Sequence, residues 1–148
     1  MQKEQNYKAI FTFTELAKYL GITRQAVSSY KKNNPKRFKL ILLGYACKRL
    51  DIDYDDLKEL NKLKGYIVTD NKRNGYRYFY RLQDLAEFLE VALSTIKTAY
   101  KENEASIKRD ELIRLGFAAY KLNIDFDDLL DFKNYKQSKA ELSKRLNK

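Results

Sequence analysis

Nine side chains between residues 16 and 50 are cationic and none is acidic: Lys18, Arg24, Lys31, Lys32, Lys36, Arg37, Lys39, Lys48 and Arg49. A solvated helix face normally mixes signs. A run of one sign points to a polyanion, and each phosphate such residues meet steepens the salt dependence of binding. The whole chain agrees, with 30 Lys plus Arg against 20 Asp plus Glu in 148 residues and a net charge of +10. An anionic partner is the first expectation. Other chemistry is poorly supplied. Histidine is absent, which removes His-based triads, His metal sites and the usual general base. Asp51, Asp53 and Asp55 suggest a calcium loop, but its sixth position is Asp56 and its twelfth is Lys62, where glycine and glutamate are needed. The twelve tyrosines lack the histidine that tyrosine recombinases place beside their nucleophile. Neither paired carboxylates at metal-site spacing nor a Gly-rich phosphate loop occurs, so no enzyme, metal or cofactor is expected.

The cationic run sits on a legible scaffold. Residues 12–32, TFTELAKYLGITRQAVSSYKK, read as two short helices joined by a tight turn. Leu16, Ala17 and Leu20 share one face of the first. Thr12 and Glu15 have capping-box spacing, which starts that helix near Phe13. Gly21 stops it, because glycine takes the left-handed conformation without steric cost. Thr23 is a good N-cap for the second helix, expected over residues 24–33, with Val27 and Tyr30 facing inward. Ala17 must be small because the second helix crosses over it.

This pattern resembles the helix-turn-helix of the lambda-repressor and Cro group of phage regulators. Ala17, Gly21 and Val27 match its small, glycine and aliphatic positions, and Leu16, Leu20, Ile22 and Tyr30 match its apolar ones. In that family the second helix enters the major groove of DNA. The resemblance implies base contacts by Thr23, Arg24, Gln25, Ser28, Ser29 and Lys32. Their chemistry is that of base recognition. Arginine forks onto guanine, glutamine pairs with adenine, and serine or threonine takes either base or phosphate. Phosphate contacts are expected from Lys31, Lys36, Arg37 and Lys39.

Asn33, Asn34 and Pro35 then turn the chain, since proline disfavours helix at the residue before it. A third helix is expected over residues 36–50, with Leu40, Leu43, Cys47 and Leu50 as its core stripe. Cys47 within that stripe is packing. One cysteine forms no internal disulfide, which suits a reducing cytoplasm. Asp53 caps a short fourth helix, with Asp55 and Asp56 favoured by the helix dipole. Residues 65–80 read as a β-hairpin, since GYIVT and YRYFY are β-prone and DNKRNG is turn chemistry. Lys72 and Arg73 at its tip are further candidates for phosphate. Residues 7–11, YKAIF, read as another short strand.

Then the chain starts again. At an offset of 69, YKAIFTFTELAKYL lies over YRYFYRLQDLAEFL; at an offset of 72, GYACKRLDIDYDDL lies over GFAAYKLNIDFDDL. Apolar, aromatic and capping positions agree together, which marks an internal duplication. The second copy has Glu90 for the turn glycine and Ala92 for the capping threonine. Its groove candidates are Ser94, Thr95, Lys97, Thr98 and Lys101, a secondary reader. Residues 1–64 carry 14 basic and 7 acidic side chains, net +7, against 16 and 13, net +3, in residues 65–148.

The sequence thus predicts a mainly α protein. Two tandem helix-turn-helix units of about four helices each flank a small β-hairpin or three-stranded sheet. The divisions are residues 1–64, residues 65–132, and a short basic C-terminal helix over 133–148 that starts from a capping box at Ser138 and Glu141. The expected function is sequence-specific binding of double-stranded DNA by a cytoplasmic regulator of phage or mobile-element type, as a monomeric internal pseudo-dimer or a homodimer. The alternative is a non-enzymatic protein-binding adaptor, or a phage-encoded inhibitor of a host nucleic-acid-binding enzyme, built on a helix-turn-helix fold with its basic surface towards the partner; the second unit is a separate candidate for a protein contact. No uninterrupted apolar run is longer than residues 40–43, so no membrane span or signal peptide is expected.

Overall fold

The computed structural model describes residues 6–65, 75–99 and 104–146. Eight α-helices occur among them: α1 (Phe13–Leu20), α2 (Arg24–Asn33), α3 (Pro35–Arg49), α4 (Tyr54–Leu63), α5 (Leu82–Leu89), α6 (Leu93–Ala99), α7 (Glu104–Lys121) and α8 (Phe126–Leu146). The helix starts follow from their caps. The Thr12 hydroxyl accepts from the Glu15 amide while the Glu15 carboxylate accepts from the Thr12 amide. Asp53 and Asp56 make the same exchange, as do Asp125 and Asp128. A cap of this kind contributes about 1 kcal/mol.

The expected sheet is overturned. Among the described residues there is no strand, and residues 66–74, including the hairpin tip, lie outside them. The two segments read as strands, YKAIF and YRYFY, begin as 3-10 turns at Asn6–Ala9 and Gly75–Tyr78. Their inward rings explain why. Tyr7 and Phe11 stack at 5.3 Å, and Tyr76 and Tyr80 lie at 5.4 Å. A helical turn brings side chains four residues apart into contact on one side, whereas in a strand the same two residues share a face but lie about 13 Å apart. The Phe11 amide donates to the Tyr7 carbonyl and the Tyr80 amide to the Tyr76 carbonyl. Phe11 then meets Tyr45 edge-on at 4.7 Å, as Tyr80 meets Phe117 at 4.6 Å. Core packing of the rings has overridden local β preference.

The C-terminal helix is also not separate. Ser138 lies within α8, which continues unbroken from Phe126. Neither glycine nor proline stands between Phe132 and Ser138, so nothing stops the first helix for a second to begin.

The two repeats pack through α3 and α7, which run past each other in opposite senses. Leu40 stands against Gly116 and Gly44 against Leu112; a Cβ on either glycine would collide with the opposing leucine carbonyl. Each fourth helix crosses over to its neighbour, α4 packing on α7 and α8 on α3. The ion pairs repeat in kind. Lys64 Nζ meets Asp128 Oδ2 at 3.0 Å and the Asn123 carbonyl at 3.0 Å. Lys136 Nζ meets Asp56 Oδ2 at 3.1 Å and the Asp51 carbonyl at 3.3 Å. Every partner is displaced by 72 residues, so residue i contacts j′ and j contacts i′, the signature of an isologous dimer interface. Here it lies within one chain. The core beneath includes Leu16, Leu40, Ile41, Cys47, Leu57, Leu85, Leu112 and Leu129, all fully buried.

Candidate nucleic-acid interface

Helix α2 is held by its ends and one face. The Thr23 hydroxyl accepts from the Ala26 amide at 3.0 Å. Gly21 takes φ +71° and its amide reaches back to the Lys18 carbonyl. Val27 is buried and Tyr30 half-buried against the core. The opposite face is free: Arg24, Gln25, Ser28, Ser29 and Lys32 are all exposed, as is Thr23. Their spacing of one, three, one and three residues aligns them along one helix stripe. No acidic side chain stands on α2, and none forms an ion pair with Arg24, Lys31 or Lys32 among the described residues.

The residues expected at phosphate are placed unevenly. Lys31 is exposed in the last turn of α2, its ammonium 5.7 Å from the Phe13 ring centroid. Arg37 is half-buried. Lys36 and Lys39 turn towards the second repeat. Lys36 pairs with Glu90 at 3.1 Å, and Lys39 sits over the Tyr120 ring at 5.0 Å. Arg49 is likewise matched, by Glu15 at 2.8 Å. The nine-cation run is therefore partly neutralised by acids from outside it, while all three cations on α2, Arg24, Lys31 and Lys32, stand outside any ion pair among the described residues. Lys72 and Arg73 lie outside the described residues.

The second unit keeps the turn geometry without its glycine. Glu90 adopts φ +60°. The Val91 amide donates to the Ala86 carbonyl at 3.0 Å, as the Ile22 amide does to Ala17 at 3.0 Å. Ala86 is buried as Ala17 is, the small residue at the matching place in α5. Ser94, Thr95 and Lys97 are exposed on α6. Thr98 is described in its backbone only, and Lys101 lies outside the described residues.

Two cations escaped the sequence reading. Arg77 and Arg81 join Lys97 around a shallow pocket of about 320 Å³ whose lining, among the described residues, contains no acid. Arg77 belongs to the segment read as a strand, where alternation would have sent it to a solvent face, and Arg81 follows that segment directly. Seen as a 3-10 turn leading into α5, the same residues flank α6. They bring to the second unit the cationic edge that its own helix lacks.

The most buried ion pair among the described residues, Arg114 Nε to Asp110 Oδ2 at 2.7 Å, lies inside the helix packing. Burial raises the Asp110 carboxyl even against the neighbouring guanidinium. Cys47 is fully buried, and burial pushes its thiol up to about 12. Among the described residues, α2 carries an exposed hydrogen-bonding face with Arg24, Lys31 and Lys32 on the same helix, and α6 exposes Ser94, Thr95 and Lys97 beside Arg77 and Arg81. Comparison with protein-family models, with characterised proteins and with solved structures finds no match to this chain.

Proposed function

We propose that this protein binds double-stranded DNA in a sequence-dependent way, with α2 laid in the major groove as the principal reader. The observation that carries the reading is the α2 stripe. Arg24, Gln25, Ser28, Ser29 and Lys32 are exposed together, and they are the residue types that address base edges and phosphates. A packing helix would have spent that face on neighbours. The isologous contact of the two repeats supports a second point: one chain takes the part that two subunits take in a repressor dimer. It presents α2 to one half-site and α6 to another, about one helical turn of DNA away. The readers differ in sequence, so the half-sites differ too. Such a protein regulates transcription by occupying an operator.

Titration of duplex DNA by electrophoretic shift tests the reading. A defined complex of one chain per duplex, with affinity falling steeply between about 50 and 200 mM salt, is the expected result. Absence of a complex at low salt on any duplex, including the region upstream of its own coding sequence, refutes it.

A further inference from the structure

A groove of about 730 Å³ opens between α3 and the turn joining α7 to α8. That volume is in the range of small-molecule sites, about 300–1,000 Å³. Phe38, Leu42 and Leu43 from α3 line it, with Tyr7 from the first 3-10 turn and Tyr120 and Phe126 from the second repeat. The charged groups around this apolar body are of two kinds. Asp125, Asp128 and Lys64 are spent on one another: Asp125 and Asp128 exchange backbone bonds at the start of α8, and Lys64 caps Asp128. Lys31 and Lys39 are not. Both are exposed, held only over the rings of Phe13 and Tyr120, and neither meets a carboxylate within ion-pair distance among the described residues. The groove therefore has an aromatic and aliphatic floor and two uncommitted ammonium groups at its rim.

The internal symmetry supplies an independent argument. The opposite groove is filled. Where the first repeat has Phe38, Lys39 and Leu42, the second has Asp110, Glu111 and Arg114. Arg114 and Asp110 pair with side chains 14% and 11% exposed, and the guanidinium lies 5.0 Å from the Tyr76 centroid. Tyr76 is the counterpart of Tyr7. A frame repeated so closely is plugged by a buried ion pair on one side and left open on the other, with the rim charge reversed from Glu111 to Lys39.

We propose that the open groove binds a small amphipathic anion, with an aromatic or acyl body against Phe38, Leu42 and Tyr120 and a carboxylate, sulfonate or phosphate head between Lys31 and Lys39. The proposal does not depend on DNA binding. The ligand would touch the last turn of α2 and the first residue of α3, and would bridge both to the second repeat.

Fluorescence titration of the full chain with 8-anilinonaphthalene-1-sulfonate tests it, followed by competition. The expected result is one saturable site, from which 1-naphthoate displaces the probe at concentrations at least about tenfold lower than 1-naphthylmethylammonium, the worth of one charge-assisted contact. Lys39→Glu, at an exposed position that cannot disturb the core, should weaken probe binding by a similar factor. Leu42→Trp should block the groove while Glu111→Lys, on the plugged side, leaves binding unchanged. Unsaturable binding, equal competition by the two naphthalenes, or affinity unmoved by Lys39→Glu overturns the proposal. If Leu42→Trp fails to fold, Lys39→Glu alone decides.

Discussion

Gly44 and Gly116 stand against each other where α3 crosses α7, and a Cβ built on Gly116 would lie 3.0 Å from the Gly44 backbone nitrogen. The closer collision in each case is with backbone, the Leu40 or Leu112 carbonyl, which cannot swing aside as a side chain can. Gly44→Ala and Gly116→Ala should each destabilise the fold by about 1–3 kcal/mol or more through overpacking. They share one crossing, so the double variant should depart from additivity. Urea unfolding of the three variants measures this, and unchanged midpoints would show that the repeats do not meet here.

Glu90 holds a left-handed conformation that costs a non-glycine residue about 1–2 kcal/mol. Its ion pair with Lys36 is exposed on both sides and returns at most about 1 kcal/mol. Glu90→Gly should therefore raise stability by roughly 0.5–1 kcal/mol. Gly21→Ala, at the matching turn with φ +71°, should lower it by about 1 kcal/mol. Thermal unfolding compares the pair.

Cys47 should be inert in the native state. Its thiol is fully buried and pushed up to about 12 by burial and by the nearby Asp56 carboxylate, so thiolate is scarce at neutral pH. Alkylation by iodoacetamide at pH 8 should proceed only as fast as the chain opens, and should accelerate sharply in denaturant.

Asp128 sets part of the acid limb of stability. Burial acts to raise its carboxyl, but the Lys64 hydrogen bond, the Asp125 amide and the Lys64 charge outweigh it, and the group lies below its ordinary 3.8. A carboxyl lowered in the folded state adds stability above its unfolded value and loses it as pH falls through the folded value. Asp128→Asn should cost up to about 1 kcal/mol at pH 7 and flatten the loss of stability below about pH 4. Asp110 acts in the opposite sense, because burial raises it. Its contribution grows as pH falls, and it should persist in the Asp128→Asn background. Urea unfolding of both proteins across the acid range measures the difference.

Local chemistry made much of this molecule readable from sequence. Thr12, Gly21, Thr23 and Asp53 each satisfy or redirect backbone groups within three or four residues, and all four act as helix caps. Of the expected stripe Leu40, Leu43, Cys47 and Leu50, the first three are buried as a spacing of three and four demands, while Leu50, the C-cap of α3, is half-buried. Tyr7, Phe11, Tyr76 and Tyr80 misled because β preference describes a pleated half-buried surface, while these rings serve a turn that inserts two of them side by side. Ser138 misled because a capping box marks a start only where the preceding chain stops. The Lys64 and Lys136 pairs, the exchange of α4 and α8, and the groove beside Lys39 join residues more than fifty positions apart, and no window of sequence displays them. Glu90 is the reverse case: its chemistry argued against the turn, and the surrounding packing holds the turn all the same.

Selection from a random duplex pool with the full chain tests the DNA reading most directly. The expected product is an enriched site of two unlike half-sites about one helical turn apart, occupied by a single chain. Arg24→Ala should relax preference at one base step, costing about 1–3 kcal/mol there, whereas Lys31→Ala should weaken all sequences alike. A pool that shows no enrichment, or an enriched site indifferent to Arg24→Ala, would contradict it.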